Sequence, residues 1–490
     1  MNILFIFSAK DAYLPQKPLL SQSNMQFGIS YISAYLRKHG HQTKLLILTK
    51  KTERKIIDNC LKNYSPQLIC FTAVFSEYDF ISKSAKYIKE RYPDIYLFAG
   101  GPHVSLNPED CIKDSFDAVC IGEGEEPTLE LVEQLQNNKS PRRISNLWIK
   151  NGGKIERNST RSFVQNLDAL PFPDRKMWQE WIVDVGSFYP VLLGRGCPFM
   201  CTYCSNHALK KIAPGNYVRL RSTENIIAEV KHVINESPCI KELYLEIETF
   251  GINKRWAIDL CSTLEAFNVS RSQPLSFGVN IRVTPNMEFR DLFAAMNRSN
   301  FKFINIGLES GSEKVRREVL NRHYSNEDII NAVKLAKKHD LKVTFQILEG
   351  IPGETLSDFK ETIKVTRSTL PDNYCLNIFF PYPGTELHRL TKEKGLMHTF
   401  LDTDMERTRA ILDLPGFTKK QIMSNYVWFD YNVYKGYKPL YQILDRVITL
   451  KLKSNPFVYR MLSGVMTNPK MMSFKNKLKG AVHKNLNKFS

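Results

Sequence analysis

Three cysteines lie close together near the middle of the chain, at Cys197, Cys201 and Cys204. Iron–sulfur clusters are normally held by cysteine thiolates, and three ligands suit a 4Fe-4S cluster whose fourth iron stays open for another molecule. A structural zinc site with His207 as its fourth ligand is the alternative, although zinc modules usually use paired cysteines. An apolar run at 189–193 predicts a strand just before the cysteines, so they follow the end of a strand, where parallel α/β folds bind ligands.

Further polar and glycine-rich segments follow other predicted strands. A carboxylate such as Glu248 can accept hydrogen bonds from an ammonium group, and Arg282 can bind a carboxylate through two N–H groups. Glu309 and Ser310 lie among glycines and offer oxygens to the hydroxyls of a ribose, while the backbone around Gly350 and Pro352 can lie against a flat base. Taken singly, each residue could instead form a surface ion pair or a turn.

Residues 1–140 alternate apolar strands with amphipathic segments, which predicts a doubly wound parallel sheet of the Rossmann-like class. Glycines after strand ends let the backbone approach a ligand closely. Two such loops, at the same edge of the predicted sheet, favour a binding cleft. Their residues are Gly100, Gly101 and His103 after the fourth major strand and Gly122, Glu123 and Gly124 after the fifth.

The remaining chain divides into three predicted parts. Residues 141–180 form a proline-rich linker that contains a hairpin turn at Asn151-Gly152. Residues 181–395 repeat strand–helix units and predict a partial, TIM-like βα barrel that is open on one side. Residues 396–490 form a helical region that is rich in aromatic residues, which are either ordinary core or the wall of a substrate site.

Composition sets the broad class of the protein. With 490 residues and 43% apolar residues, the chain is long enough for two or three domains. Outside the central group the cysteines are scattered, which fits a reducing cytoplasm, and no apolar run is long enough for a transmembrane helix. We therefore expect a soluble, cytoplasmic protein.

Positive charge is concentrated at the C-terminal end of the chain. The formal net charge is +18, and residues 451–490 contain nine Lys or Arg and no Asp or Glu. Such a tail favours weak contact with a polyanion, either an anionic membrane surface or a nucleic acid. A solvated basic face is an equally good interpretation.

The cysteine segment resembles the signature of radical S-adenosylmethionine (SAM) enzymes, with the aromatic Tyr203 before the last cysteine. The resemblance implies that Cys197, Cys201 and Cys204 hold a 4Fe-4S cluster and that SAM binds the fourth iron. It also implies SAM contacts from a larger set of residues. These are Tyr203, Glu248, Arg282, Glu309, Ser310, Gly350 and Pro352, although the usual Asp-Asp pair is Ile247-Glu248 here.

The N-terminal domain resembles the cobalamin-binding domain of one radical SAM class. The similarity rests on Phe27-Gly28-Ile29, on the Gly100–His103 segment and on Gly122-Glu123-Gly124. It implies that these two glycine-rich loops bind cobalamin. An Asp-x-His-x-x-Gly motif is absent from the sequence, so the resemblance implies cobalamin without a protein histidine on cobalt.

The resemblance implies a cobalamin-dependent radical SAM methyltransferase that transfers a methyl group to an unactivated carbon through a 5'-deoxyadenosyl radical. An oxidative cyclase or ring-rearranging enzyme with the same cofactors is the first alternative, and a nucleic-acid-binding protein with a metal knuckle is the second. The expected partners are a small-molecule or lipid-like substrate and an electron donor such as flavodoxin or ferredoxin. No nucleic acid is expected, and the protein could lie peripherally at the membrane surface.

Overall fold

The structure is a computed structural model that describes residues 1–12, 15–52, 54–184, 188–285, 287–397, 401, 403 and 406–453. Its N-terminal part alternates strands and helices as predicted. The strands are β1 (Asn2–Ser8), β2 (Leu19–Ser21), β3 (Gln42–Leu48), β4 (Leu68–Thr72), β5 (Tyr96–Gly100), β6 (Ala118–Cys120), β7 (Leu147–Asn151) and β8 (Lys154–Arg157). The helices are α1 (Phe27–Lys38), α2 (Arg54–Tyr64), α3 (Phe75–Arg91), α4 (Pro102–Leu106), α5 (Pro108–Cys111) and α6 (Glu125–Gln136).

Seven of these strands form one sheet in the order β3-β1-β4-β5-β6-β7-β8. The pairs from β3 to β6 are parallel, which confirms the predicted doubly wound sheet. The strand order changes direction at β1, between β3 and β4. In open α/β sheets, ligands bind beyond the carboxyl ends of the strands at such a switch point.

Strand β1 shows how the sheet is buried on both faces. Ile3 and Phe5 pack into a core on one side, while Leu4 and Ile6 pack into a second core on the other. A parallel strand covered on both faces needs an almost continuous apolar run, and β1 has one. The same reasoning located the other central strands in the sequence.

The hairpin at Asn151-Gly152 is present, but it belongs to the first sheet. The sequence analysis assigns it to the linker, whereas β7 pairs antiparallel with β6 and β8 pairs with β7. The apolar residues Leu147 and Ile149 of β7 complete the N-terminal core. Segments that follow contribute as well, because α7 (Lys176–Gln179) carries the fully buried Trp178, and β9 (Ile182–Asp184) pairs with β2.

The second half of the chain contains a parallel sheet in the order β10-β13-β14-β15-β16-β17. Its strands and the short pair β11/β12 are β10 (Phe188–Leu192), β11 (Gly194–Arg195), β12 (Arg219–Leu220), β13 (Glu242–Phe250), β14 (Ser276–Ile281), β15 (Phe301–Glu309), β16 (Lys342–Glu349) and β17 (Asn373–Ile378). The helices are α8 (Asn206–Leu209), α9 (Thr223–Glu236), α10 (Lys254–Val269), α11 (Arg290–Arg298), α12 (Asn326–Lys338), α13 (Leu356–Thr369) and α14 (Glu386–Glu393). Within the described residues β10 and β17 are the sheet's two edges, as expected for a partial βα barrel.

Helix starts in this half follow local hydrogen-bonding rules. Ser325 accepts a hydrogen bond from the backbone of Asp328, and the Asp328 carboxylate accepts one in return. This capping box begins α12. Thr355 and Asp358 form the same arrangement at the start of α13.

The chain divides into two compact units, Met1–Lys419 and Lys420–Ser490. In the second unit, α15 (Lys419–Tyr434) and α16 (Leu440–Lys453) confirm the predicted helical region, with Asp430 and Arg446 forming an ion pair. Residues 406–418, which the sequence analysis places in this helical region, contain turns and a Leu414–Phe417 bridge instead of a helix. Pro415 and Gly416 explain the difference, since both residues disfavour helix.

None of the described helices is long and apolar enough to cross a membrane. Most of the basic tail, residues 454–490, lies outside the described residues.

A buried carboxylate joins the linker to the barrel. Glu229 of α9 accepts a hydrogen bond from Arg175 at 2.6 Å and forms a second ion pair with Arg221. All three side chains are at least 96% buried. Arg175 also donates to the carbonyl of Pro190 in β10, at 2.7 Å. The linker is therefore fixed to the strand that leads into the cysteine loop.

Replacing Glu229 by alanine should lower the free energy of unfolding by about 3–5 kcal/mol, because two buried arginines would lose their counter-ion. The decrease should appear as a lower urea midpoint at unchanged pH. Glu393→Ala is the matched control, since Glu393 pairs with Arg389 on the exposed face of α14 and should matter little. Equal effects of the two substitutions would contradict a structural role for the buried cluster.

Candidate active site

The cysteine loop begins in a tight backbone frame. Gly196 has a φ of +86°, and a Cβ atom there would lie 2.1 Å from the carbonyl oxygen of Tyr217. Only glycine fits this position, immediately before Cys197. Cys197 and Cys201 are buried, Cys204 is half-buried, and the amide of Cys204 donates to the Cys201 carbonyl. The fold therefore gathers the three predicted ligands on one ordered loop.

The chemistry of these thiols fits an iron–sulfur cluster. Burial raises the pKa of Cys197 to about 11 and also raises the pKa of Cys204, so positive metal ions are needed to hold thiolates here. The described residues contain no group of three His, Cys, Asp or Glu arranged around a single metal ion. The three thiolates of a cluster each bind a different iron and need not meet at one point.

His207, the fourth ligand in the zinc alternative, has both ring nitrogens close to backbone groups. Nδ1 lies beside the Cys204 carbonyl, and Nε2 accepts a hydrogen bond from the amide of Glu386 at 3.1 Å. The ring therefore ties the cysteine loop to the start of α14. This arrangement gives His207 a structural role.

Arg282 extends from the end of β14 to the cysteine loop. Its Nη1 donates to the sulfur of Cys201 at 2.8 Å, and its guanidinium lies 3.7 Å from the ring centre of Phe199. Its Nε is buried without a hydrogen-bond partner. A buried, unpaired N–H group beside the cluster ligands suits a carboxylate, as predicted for the methionine end of SAM.

Strand β13 presents two carboxylates to the site. Glu248, predicted to meet an ammonium group, is exposed and lines the larger of two cavities. Glu246 lines the same cavity, since residues two apart on a strand share a face. Burial raises the pKa of Glu246 to about 7, and Glu248 contributes further. Sequence reasoning missed Glu246, although its i, i+2 spacing from Glu248 was visible.

Arg322 is a second functional residue that the sequence analysis missed. Its Nη1 donates to the hydroxyl of Tyr203 at 2.8 Å and to the carboxylate of Glu309 at 3.0 Å, and Nη2 donates to the carbonyl of Gly307. Glu309 has a φ of +58° at an irregularity between β15 and β16. The arginine thus joins two predicted SAM contacts that are far apart in sequence.

The other predicted SAM contacts, Ser310, Gly350 and Pro352, do not line the two cavities beside the cysteine loop. Ser310 is fully buried, and its carbonyl accepts a hydrogen bond from Arg316. The amide of Gly350 donates to Glu354 at 2.7 Å, which shapes the turn that also contains Pro352. Residues 346–348 of β16, the strand that precedes this turn, line the smaller cavity instead.

Two cavities lie beside the cysteine loop. The larger, about 470 Å³, has Gly100, Gly101, Gly122, Glu123 and Gly124 on one side. The segments 194–196 and 246–248 face them from the barrel. The smaller, about 420 Å³, is lined by Tyr203, Cys204, Glu309 and strands β16 and β17.

Two glycines of the larger cavity lie where the loop backbone packs closely against neighbouring side chains. Gly101 has a φ of +102°, and a Cβ atom there would lie 2.8 Å from the hydroxyl of Thr72. At Gly124, a Cβ atom would lie 2.8 Å from the side chain of Ile32. Glycine at these positions lets the loops pack tightly at the carboxyl edge of the sheet, where parallel α/β folds bind ligands.

His103 and Glu123 differ from the other predicted cobalamin contacts. His103 lines the smaller cavity, packs between Phe75 and Tyr78, and has its pKa lowered to about 4 by burial. The carboxylate of Glu123 is already occupied by Arg195 and Arg219. Burial alone would raise the pKa of Glu123, but the two arginines hold it below its usual value.

Family comparisons agree with this geometry. Residues 23–132 match the B12 binding domain, and residues 191–366, which contain the three cysteines and Arg282, match the Radical SAM superfamily. The chain contains a Radical SAM domain and a B12-binding domain. These two domains imply a 4Fe-4S cluster, SAM and cobalamin as cofactors.

Three similar proteins illustrate the range of this radical SAM class. An uncharacterized methyltransferase, PH0819, of Pyrococcus horikoshii is 28% identical over 86% of this chain and 90% of its own. The anaerobic magnesium-protoporphyrin IX monomethyl ester cyclase of Cereibacter sphaeroides is 21% identical over 75% of this chain and 60% of its own. The structure of the radical SAM methyltransferase TsrM from Kitasatospora setae shares the fold, with a TM-score of 0.65, 14% identity, and coverage of 90% and 89%.

Replacing Cys197, Cys201 or Cys204 by alanine should each abolish iron loading and 5'-deoxyadenosine formation, because two thiolates cannot hold the cluster in a geometry that binds SAM. Iron and sulfide are measured after anaerobic reconstitution, and deoxyadenosine by chromatography. Substitutions at Cys239, Cys261 and Cys375 serve as controls and should retain both. An equally essential control cysteine would contradict the three-ligand assignment.

His103→Ala should leave the paramagnetic resonance spectrum of bound cob(II)alamin unchanged, because His103 lines the smaller cavity and its Nδ1 lies 3.2 Å from Asn107. The wild-type spectrum should show the dimethylbenzimidazole base off and no histidine-nitrogen splitting. A splitting that disappears in His103→Ala would show that this histidine binds cobalt.

Proposed function

We propose that the protein is a cobalamin-dependent radical SAM methyltransferase that transfers a methyl group to an unactivated carbon. One observation carries the proposal: a single cavity has the glycine loops of the B12-binding domain on one wall and the base of the cysteine loop on the other. Cofactors bound there supply the methyl group and the 5'-deoxyadenosyl radical. The protein's task is to orient them and to exclude water.

The site residues support a division of tasks. Cys197, Cys201 and Cys204 would hold the cluster, while Arg282 and Glu248 would take the carboxylate and ammonium groups of SAM. Glu309 and Tyr203 line the smaller cavity and would meet the ribose of SAM, while Arg322 donates hydrogen bonds to both. Gly100, Gly101, Gly122 and Gly124 would let the corrin ring approach the sheet edge.

The smaller cavity supports a small-molecule or lipid-like substrate. Its lining includes the apolar residues Val74, Phe75, Leu106, Phe380 and Pro383. Apolar lining with few polar groups is typical of sites for organic ligands. An external one-electron donor, such as flavodoxin or ferredoxin, would reduce the cluster. None of the ten cysteines, all of which the structure describes, forms a disulfide, and this supports a place in the reducing cytoplasm.

Oxidative cyclisation or ring rearrangement is the second candidate, and the similarity to the magnesium-protoporphyrin cyclase favours it. The similarity to the Pyrococcus methyltransferase is higher in identity and covers more of both chains, and so favours methylation.

Anaerobic incubation with SAM, cobalamin and a reductant should give 5'-deoxyadenosine, and this reaction tests the radical SAM function directly. With candidate substrates, a methyltransferase gives a product that is heavier by one CH₂ unit, and SAM labelled in its methyl group transfers the label. A product that gains no label but has lost hydrogen would favour the cyclase.

We further propose that the C-terminal unit gives weak contact with anionic membranes. Helix α16 exposes Leu440, Tyr441, Ile448 and Leu452, and nine basic residues with no acidic residue follow from Lys451 onward. Aromatic and aliphatic side chains beside basic ones suit the membrane interface. Each basic residue near an anionic leaflet contributes roughly 1 kcal/mol.

Removal of residues 451–490 should weaken sedimentation with anionic vesicles and leave deoxyadenosine formation unchanged, since the tail is outside both matched domains. Binding of the full chain should also weaken with added salt, because screening acts over about 8 Å at physiological ionic strength. Vesicle binding that survives truncation or high salt would contradict the electrostatic contact.

A further inference from the structure

Glu123 lies where the B12-binding domain meets the cysteine loop. Its two carboxylate oxygens accept hydrogen bonds from Arg195 at 2.8 Å and from Arg219 at 2.9 Å, and Oε2 also accepts from the amide of Val164 at 2.7 Å. Both arginines belong to the barrel half of the chain. The carboxylate therefore joins the Gly122–Gly124 loop to residues more than seventy positions away.

A second carboxylate strengthens this contact. Glu125 accepts a hydrogen bond from the other terminal nitrogen of Arg195 at 2.6 Å. All four side chains are at least 83% buried. Such a group is stable only when its charges remain paired, because each unpaired charge would keep its desolvation cost.

The contact leads directly to the cluster ligands. Arg195 lies two residues before Cys197, and β11 pairs antiparallel with β12, so that Arg195 is opposite Arg219. A Cβ atom at Gly194 would lie 2.5 Å from the carbonyl of Arg219, and Gly196 is equally constrained. Because this backbone is so tightly packed, Arg195 keeps a fixed position relative to Cys197.

We infer that Glu123 is a positioning residue that fixes the Gly122–Gly124 loop to the cysteine loop and so sets the placement of cobalamin relative to cluster-bound SAM. This inference rests on the proposed function for the identity of the two cofactors. It differs from the direct cobalamin contact predicted from sequence, because the carboxylate of Glu123 is occupied by protein donors on both oxygens.

Two products of SAM can be measured without a known substrate, and their ratio reports on where cobalamin lies relative to SAM. Transfer of the methyl group, without its bonding electrons, to the doubly reduced cobalamin leaves S-adenosylhomocysteine. One electron from the reduced cluster instead breaks the bond from sulfur to C5', which leaves methionine and, after uptake of a hydrogen atom, 5'-deoxyadenosine. The external reductant supplies the electrons for both reactions. Only the first reaction requires the cobalamin to lie close to SAM.

The test compares Glu123→Gln with wild type after loading with iron, sulfide and hydroxocobalamin. Cluster iron, cobalamin affinity and deoxyadenosine formation should stay within about threefold. The ratio of S-adenosylhomocysteine to deoxyadenosine should fall about tenfold to a hundredfold, since misplacement of about 1 Å has effects of this size. The magnetic interaction between cob(II)alamin and the reduced cluster, read from the broadening of the cobalt signal, should change as well.

Glu109→Gln is the matched control, because Glu109 forms an exposed ion pair with Arg157 in the same domain and should leave all four readouts unchanged. Glu123→Asp keeps the charge and should restore part of the ratio. The inference would be overturned if Glu123→Gln left both the product ratio and the cobalt signal unchanged. It would also be overturned if the variant bound cobalamin more weakly but showed the wild-type cobalt–cluster interaction in the molecules that still bind it.

If Glu123→Gln fails to retain iron, Glu123→Asp decides, and a wild-type ratio in that variant overturns the inference. Failure of the proposed function looks different. In that case the wild-type protein itself would form no deoxyadenosine or bind no cobalamin.

Discussion

Removing a charged side chain from water costs free energy, and in the linker region buried ion pairs offset that cost. Glu229 has no exposed surface, yet it is the shared counter-ion of two arginines from different segments, Arg175 in the linker and Arg221 after β12. Because each partner needs the others, the linker, α9 and β10 can take up only one mutual arrangement. The cysteine loop starts from β10, so its position follows from this cluster.

The two cofactor-binding halves are similar in a physical sense. Each contains parallel strands that are followed at their carboxyl ends by glycine-rich loops, and loops of both halves line a common cavity. The loops that follow parallel strands all lie at the carboxyl edge of the sheet, so functional residues on these loops come close together. Gly101 and Gly196 both line this cavity. At each position a side chain would collide with neighbouring backbone or side-chain atoms.

Much of this architecture could be predicted from the sequence because it is local. Buried parallel strands are apolar runs, helix starts such as Ser325 carry their own caps, and the cysteines and glycines are defined by spacing. The contacts of Arg322 with Tyr203 and of Glu123 with Arg195 could not be predicted, because they join residues that only the tertiary fold brings together. The prediction groups His103 with the cobalamin contacts of its loop, whereas in the structure Gly101 and His103, only two residues apart, line different cavities.

The pairing of β9 with β2 affects how the N-terminal sheet folds during synthesis of the chain. Leu19 lies opposite Ile182, and Trp178, Leu147 and Ile149 pack into the core of the first sheet. A ribosome that has released only residues 1–140 has therefore not yet supplied all the apolar groups that this core requires. The N-terminal sheet must wait, partly uncovered, until the segment around Ile182 emerges. A gene fragment meant to yield the isolated cobalamin-binding half should accordingly extend to Asp184, because a shorter product would expose core surface and tend to aggregate.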